Sequence, residues 1–434
     1  MKMSQYIVDI DLKCETGEHM LIHGNNGLVD VISSTDYLTF RKWQDCECIS
    51  DTDQDENPTL FATLIKRGYL LEDNYDEEDE RDKLIQRLTD AESKKSQHCK
   101  SVCFVLTYGC NFACPYCYEG SVKNHNCLTK EQVDNIFEIH GNNIPYISFF
   151  GGEPLLPTNK DVIQHIISKA PDAQYSMITN GYFLEEYFEI FRNLNISNIQ
   201  VTFDGMREIH NKTRILKDGR GTFDRILAGV ALYAEHGLPI TIRMNITTTN
   251  EASCVDFEKY ICTLPWADNV RIEKQPVFQM DNDTKNQLYN SMLKTDQSSV
   301  HKNVMLTRGN SLENFLYRGT PLRPTVKTCN ADSKCRYFDP FGNVYSCILA
   351  VGNEKKKIGS YNTKLTYSEK SMMTRSIATV PACRKCKYAL LCGGGCPNAI
   401  PDTMDIQTTP NCGYFQNDLE NRIPEIYKIK KQIV

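Results

Sequence analysis

The hydrophobic and polar positions fall into three regimes along the chain. In the first, over residues 1–95, apolar and polar residues alternate in short stretches: "QYIVDID", "HMLIHG" and "GLVDVIS". A period of two marks strands with one buried face, because successive side chains leave a strand on opposite sides. A helix is predicted near Tyr37–Trp43. A second helix is clearly punctuated, with Asn57 as N-cap, Pro58 in the first turn and Gly68 just past the end. "GYLLED" then predicts another strand. Short strands with two helices indicate a winged-helix-like α+β module, and residues 78–96 read as a polar helical linker.

From Val102 the pattern becomes strand, loop, helix, repeated. The predicted strands are "VCFVLTY" (102–108), "YISFF" (146–150), "YSMIT" (175–179), "IQVTF" (199–203), "ITIRMNI" (240–246) and "NVRIEK" (269–274). Thr129 and Gln132 form a capping box before "VDNIFEIH", and Thr222 opens "FDRILAGVALYAEH", which ends at Gly237. Alternating βα units give a parallel sheet with helices outside. Six such units over residues 100–320 predict an α/β fold, a partial (β/α)6 TIM-type barrel. Residues 325–434 lose the rhythm. They are Gly-rich and dense in Cys, as expected of a domain organised by metal rather than by a large apolar core.

Composition narrows the function classes. The chain has 434 residues, 41% of them hydrophobic, enough for a sizeable core. Its longest strongly apolar runs, such as "AGVALYA", span seven residues, far short of the roughly 20 that cross a bilayer. The N-terminus turns acidic within eleven residues, unlike a signal peptide. A soluble cytoplasmic protein with no membrane partner is expected. Net charge is −6 and no long basic stripe occurs, which argues against nucleic acid as the main partner. "EKKK" and "KIKK" read as solvated surface, and "DTDQDE" and "DEEDERD" as solvated loops or helix starts.

The 19 cysteines change the picture most. Without a secretory signal they point to metal rather than disulfides. Cys14, Cys46, Cys48, Cys99, Cys103, Cys127, Cys254 and Cys262 read as small core residues, although Cys46 and Cys48 also admit a redox or metal pairing. Cys110, Cys114 and Cys117 form a C-x3-C-x2-C knot directly after the first barrel strand, where barrels carry their chemistry. A [4Fe–4S] cluster normally takes four thiolates. Three leave one iron open to a small molecule, such as the amino and carboxylate groups of S-adenosylmethionine (SAM). A zinc site completed by a distant residue is the alternative.

In this motif the chain resembles the radical SAM superfamily. The resemblance implies that Tyr116 contacts the adenine. It implies that "GGEP" (Gly151, Gly152, Glu153, Pro154) meets the SAM amino group, glycine letting backbone approach a ligand closely. Asn180 of "TNG" would make a polar contact to SAM, and Arg243 would meet its carboxylate. "TFDG", with His210 and Arg214 downstream, matches the fourth-strand pattern of the peptide-modifying branch. Taken without the resemblance, Gly151 and Gly152 read as a tight turn, and His210 and Arg214 as an ordinary surface pair.

The C-terminal spacing is Cys329-x5-Cys335-x11-Cys347, a gap, then Cys383-x2-Cys386-x5-Cys392-x3-Cys396-x15-Cys412. Eight thiolates fill two [4Fe–4S] clusters or two zinc sites of four. Beside a radical SAM motif, "DPFGNVYSC" and "CGGGC" resemble the SPASM domain, so the likeness covers about residues 100–415. It implies that Cys329, Cys335, Cys347 and Cys396 hold one auxiliary cluster, and Cys383, Cys386, Cys392 and Cys412 a second. The expected cofactors are three [4Fe–4S] clusters and SAM, with a reductant such as flavodoxin or ferredoxin.

SPASM enzymes mostly modify peptides or proteins. Anaerobic sulfatase maturases carry an Asp base after the cysteine matching Cys347, where this chain has Ile348; they also generally lack an N-terminal module of this size. Maturases of ribosomally made peptides usually have one, which captures a leader as an added strand. The expected function is a radical SAM peptide maturase that forms a thioether or C–C crosslink in a precursor peptide. A formylglycine-generating enzyme of the sulfatase-maturating type and a non-catalytic zinc or electron-transfer protein are the alternatives.

Overall fold

The computed structural model describes residues 1–433 apart from 98, 123–124, 142, 278–279, 282–283, 286, 289–290, 293–311, 313–314, 317–318, 363 and 370. The chain divides into two compact units. One comprises Met1–Lys95, Arg308–Asn330 and Thr374–Val434; the other comprises Ser96–Thr307 and Ala331–Met373.

The first unit begins with β1 (Lys2–Met3), β2 (Ile7–Asp11), β3 (His19–His23), β4 (Val29–Ile32), α1 (Ser34–Gln44), α2 (Asp51–Glu56), α3 (Pro58–Arg67), β5 (Leu70–Leu71) and α4 (Glu77–Gln97). β2, β3 and β4 form an antiparallel sheet, and β1 pairs with β5. The alternation read from the sequence buries Ile7, Leu21 and Ile32 against Phe40, Trp43, Leu60, Phe61 and Leu64. Each side chain fully removed from water here contributes about 1.5–3 kcal/mol. α3 starts and stops where its punctuation predicts. The Asn57 side chain accepts from Leu60 N–H, and Gly68 closes the helix at φ 78°, the left-handed region that glycine enters freely. The acidic run 51–56 forms α2, with Asp53 accepting from Ser50 N–H at 2.9 Å. Acids in a first turn favour a helix, because the unpaired N–H groups there are partly positive.

α4 also explains why the terminal segments belong together. Arg81 is 1% exposed. It donates to Cys386 O at 2.9 Å and lies 4.1 Å over the Tyr6 ring. Ile85 packs with Val326, Ile377, Val380, Cys383 and Leu390 in a small apolar cluster.

The second unit holds β6 (Ser101–Val105), α5 (Lys130–His140), β7 (Tyr146–Phe150), α6 (Lys160–Lys169), β8 (Gln174–Thr179), α7 (Leu184–Phe191), β9 (Ile196–Phe203), α8 (Arg207–Thr213), α9 (Phe223–Glu235), β10 (Ile240–Ile246), α10 (Glu251–Cys262) and β11 (Val270–Pro276). β6 to β11 lie parallel in sequence order, a mostly parallel partial barrel. β12 (Arg336–Phe338) pairs in parallel with the free side of β6, and β13 (Asn343–Tyr345), β14 (Gly359–Ser360) and β15 (Thr366–Tyr367) extend the sheet antiparallel. Backbone pairing with β6 therefore groups residues 331–373 with the barrel.

The two faces of this sheet differ. Ile147, Phe149, Tyr175, Met177, Val201, Phe203, Ile242 and Met244 join the helices' Ile136, Ile163, Phe188, Ile226 and Phe257 in one core. The intervening positions are largely polar: Ser148, Ser176, Gln200, Thr202, Arg243, Asn245, Glu273 and Gln275. A parallel sheet covered by helices on both faces reads as near-continuous apolar strands. Alternation here leaves a polar face, and the cysteine loop lies at one end of it. No helix among the described residues is long and apolar enough to cross a membrane.

Candidate active site

β6 ends at Val105, and the irregular loop that follows carries Cys110, Cys114 and Cys117. The loop after β7 holds it in place. Glu153 N–H donates to Gly109 O at 2.8 Å. Gly151 and Gly152 sit at φ 94° and 27°; a Cβ on them would lie 2.4 Å from Thr107 O and 2.1 Å from Gly109 O, respectively. The pair is glycine because two backbones meet there. The close approach is to the cysteine loop itself.

Glu153 is fully buried. Its Oε1 accepts from Leu155 N–H at 2.9 Å and from the Thr179 hydroxyl at 2.6 Å, and its Oε2 accepts from Asn180 N–H at 2.6 Å. Burial pushes this carboxyl up to about 7, against the pull of those three donors. It fastens the loop after β7 to the loop after β8. Asn180 Nδ2 then donates to Asn111 Oδ1 at 2.8 Å and to Cys110 Sγ at 3.7 Å, while its Oδ1 accepts from Tyr182 N–H at 2.9 Å. Phe112 N–H reaches the same sulfur at 3.4 Å.

Tyr116 is held by its phenol end. The hydroxyl donates to Asp204 Oδ2 at 2.6 Å and accepts from Arg214 Nη1 at 2.8 Å. The Thr213 hydroxyl also donates to Asp204, at 2.7 Å. Arg214 lies 5.6 Å over the Phe112 ring. Burial raises the Asp204 carboxyl and Arg214 pulls it back. His210 is wholly buried, 3.1 Å from Thr222 Oγ1 and packed on the Phe203 and Phe223 rings. His210 and Arg214 are thus interior residues and not a surface pair, because the turn after β9 folds α8 inward. Arg243 lies on the polar face of β10, its Nη1 2.8 Å from Glu273 Oε1 on the adjacent strand, in direct register.

The remaining cysteines fall in both units. Cys335 and Cys347 belong to the barrel unit; Cys329, Cys383, Cys386, Cys392, Cys396 and Cys412 belong to the other. Within that unit, burial first and then the Cys386 thiol raise Cys383 to about 11. Burial pushes Cys392 to about 12, with N–H groups of Gly394 and Gly395 pulling it down and Cys383 and Cys412 adding to the rise. Gly393, Gly394 and Gly395 all have positive φ, which turns successive N–H groups toward Cys392. Of the other eight cysteines, Cys103 and Cys254 are core residues, whereas Cys48 and Cys262 are exposed.

Several contacts carried no sequence signal. Arg375 is 3% exposed and donates to Gly394 O at 2.6 Å, Gly395 O at 3.2 Å and Thr409 O at 3.0 Å, a buried cation beside those thiols. Asp339 accepts from Tyr108 O–H at 3.0 Å and from the N–H groups of Phe341 at 3.0 Å and Asn343 at 2.8 Å. It fixes the β12–β13 hairpin to the start of the cysteine loop. Tyr118 O–H donates to Ile348 O at 3.3 Å, so residue 348 lies against the residue after Cys117. Only long-range packing creates these partners.

Among the described residues, no three His, Cys, Asp or Glu side chains are drawn closely enough to hold one metal ion. A zinc ion bound at about 2.3 Å to each sulfur needs tightly gathered thiolates. A four-iron cube gives each thiolate its own iron and sets them further apart. Three thiols on one loop, N–H donors at Cys110 and the apolar Phe112 beside them fit such a cube. Burial pushes the Cys110 thiol up to about 12.

Residues 104–261 match the profile of the Radical SAM superfamily. A cysteine-type anaerobic sulfatase-maturating enzyme of Clostridium perfringens (strain 13 / Type A) is 22% identical over 75% of this chain and 96% of its own length. Mycofactocin maturase MftC of Mycolicibacterium smegmatis is 24% identical over 67% of this chain and 76% of its own. The fold is similar to native anSMEcpe with bound AdoMet, with TM-score 0.59, 17% identity, and coverage of 77% of this chain and 100% of that one. It is also similar to Streptococcus suis SuiB bound to precursor peptide SuiA, with TM-score 0.52, 13% identity, and coverage of 95% and 99%.

Proposed function

The chain is a radical SAM enzyme, and from that premise we propose that it matures a ribosomally made precursor peptide, joining two of its residues through a thioether or C–C bond. The N-terminal module would capture the leader. Cys110, Cys114 and Cys117 would hold the cluster, which with bound SAM would supply the one-electron chemistry that generates a radical able to take a substrate hydrogen. The protein's part is to orient. Glu153 and the two glycines brace the cysteine loop. Tyr116, tied down by Asp204 and Arg214, walls the adenine. Arg243, paired with Glu273 on the adjacent strand, would meet the SAM carboxylate. The C-terminal thiols would hold two auxiliary clusters, which would supply a sink for the electron left on the substrate, and a cytoplasmic flavodoxin or ferredoxin would reduce the enzyme.

The observation that carries this reading over formylglycine formation is Ile348. Residue 348 touches the cysteine loop through Tyr118, yet it is an aliphatic side chain that cannot take a proton. A second support is the N-terminal sheet, whose order β2-β3-β4 leaves two outer strands of the kind that accept an added peptide strand. SuiB, solved with a precursor peptide, covers 95% of this chain.

The test is anaerobic reconstitution and co-expression with a short Cys-rich reading frame from beside the gene. About twelve irons per chain, 5′-deoxyadenosine after reduction, and a peptide lighter by two hydrogens with a crosslink in its fragmentation spectrum are expected. Bound zinc with no SAM cleavage sinks the enzyme reading. Conversion of a sulfatase Cys to formylglycine sinks the peptide-crosslink reading alone.

A further inference from the structure

The side chain of Asn180 can be accounted for atom by atom. A primary amide has two N–H donors and one oxygen acceptor. One N–H goes to Asn111 Oδ1 at 2.8 Å, and the other has Cys110 Sγ at 3.7 Å. The oxygen takes Tyr182 N–H at 2.9 Å. The backbone N–H of the same residue is fixed by Glu153 at 2.6 Å. Asn180 is 5% exposed. Every donor is committed to protein, and one is committed to a cluster thiolate. Phe112 N–H adds a second donor to that sulfur at 3.4 Å.

Hydrogen bonds to cluster sulfurs are among the main determinants of an iron–sulfur potential. An N–H pointing at a thiolate withdraws electron density from it and stabilises the more negative, reduced cluster. The effect is larger in a buried, low-dielectric setting. Asn180 is rigid for a stated reason: its backbone hangs on Glu153, and its amide is clamped by Asn111 and Tyr182. A donor so clamped is pre-set for sulfur at Cys110 and does not swing to follow a ligand.

We propose that Asn180 is a positioning residue for Cys110 that sets the reduction potential of the SAM-site cluster through an amide N–H···S bond, with Asn111 aiming that N–H. This assigns it a task other than the direct SAM contact inferred from "TNG". It rests on the reading that Cys110 ligates the cluster.

The full-length chain, reconstituted anaerobically without SAM, is titrated with a redox mediator set while its reduced-cluster EPR signals are followed. The SAM-site signal is identified as the one whose g-values change when SAM is added. In Asn180→Ala and Asn180→Asp the midpoint of that signal moves to more negative potential, while the auxiliary signals keep theirs. Asn180→Asp retains the oxygen that accepts from Tyr182 and loses the donors but adds a negative charge that itself lowers the potential, so the uncharged Asn180→Ala is the variant that reads the hydrogen bond. Asn111→Ala gives a smaller shift of the same sign. A second measurement needs no variant to load fully. In wild-type protein carrying asparagine labelled with ¹⁵N in its side chain, pulsed EPR of the reduced cluster shows a nitrogen coupling; absence of that coupling overturns the proposal. A midpoint unchanged in Asn180→Ala, with SAM affinity reduced, also overturns it and returns Asn180 to SAM binding. If no signal responds to SAM in wild type and Cys110→Ala keeps its iron, the failure lies in the cluster assignment.

Discussion

Replacing Gly152 by alanine tests whether the glycine pair serves the backbone of the cysteine loop. An alanine at φ 27° enters a region that L-residues avoid, at about 1–2 kcal/mol. Its Cβ would lie 2.1 Å from Gly109 O, 2.7 Å from Gly109 C and 2.8 Å from Tyr108 C. These are backbone atoms, so no rotamer change relieves the overlap and the cysteine loop itself must move. Movement breaks the 2.8 Å bond from Glu153 N–H to Gly109 O and leaves buried groups without partners, a further loss of roughly 1–3 kcal/mol. The sum is about 2–5 kcal/mol. Gly237 is the control: its φ is 72° with nothing within 4 Å of a built Cβ, so alanine there costs only the conformational part, about 1–2 kcal/mol. Denaturant unfolding of the metal-free chain, together with iron per chain after reconstitution, reads both. Gly152→Ala should lose stability and about one cluster's iron, and Gly237→Ala should keep its iron. Equal behaviour of the two variants would refute the reasoning.

Cys114→Ala should abolish SAM cleavage; intact 5′-deoxyadenosine formation would remove the active-site assignment. Tyr116→Phe keeps the ring and deletes the hydroxyl between Asp204 and Arg214; stability should fall by about 1–3 kcal/mol in urea unfolding, while SAM affinity by equilibrium dialysis stays near wild type. Asp339→Asn turns one acceptor oxygen into a donor among the groups of Tyr108, Phe341 and Asn343, and a comparable loss is expected, with lower iron retention during gel filtration. His23 is buried and neutral, its Nε2 2.9 Å from Gly68 O and its Nδ1 accepting from Asn25 N–H. Burial lowers it below 6.5, so its contribution is complete above that pH and is lost as pH falls through the depressed value. Stability should drop below pH 6.5 by at most about 1.4 kcal/mol per pH unit, and His23→Gln should flatten that limb of the pH–stability curve.

Much of the barrel was legible because its determinants are local. "ITIRMNI" and "YSMIT" alternate, and β10 and β8 occupy those stretches. The Asn57, Pro58 and Gly68 signals bounded α3. The three cysteines followed a strand, and spacing alone isolated them. Less legible was the grouping of residues 331–373. β12 is three residues long, too short for a period to register, and it is defined by pairing with β6. The acidic run 51–56 left loop and helix start open, and the capping carboxylate of Asp53 decided for a helix.

By itself the sequence determined the alternating βα order, the helix caps, the thiol count and the one carboxylate missing at position 348. Each is a property of neighbours in the chain or of a residue's own chemistry. Only the tertiary structure decided what the motif residues touch: that Gly151 and Gly152 admit a backbone, that Glu153 joins two loops, that Asn180 is aimed at Cys110, and that Asp204 takes the Tyr116 hydroxyl and Asp339 that of Tyr108. The physical reason is that a buried polar group is defined by its partners, and these partners lie up to 231 positions apart in sequence, as in Tyr108 and Asp339.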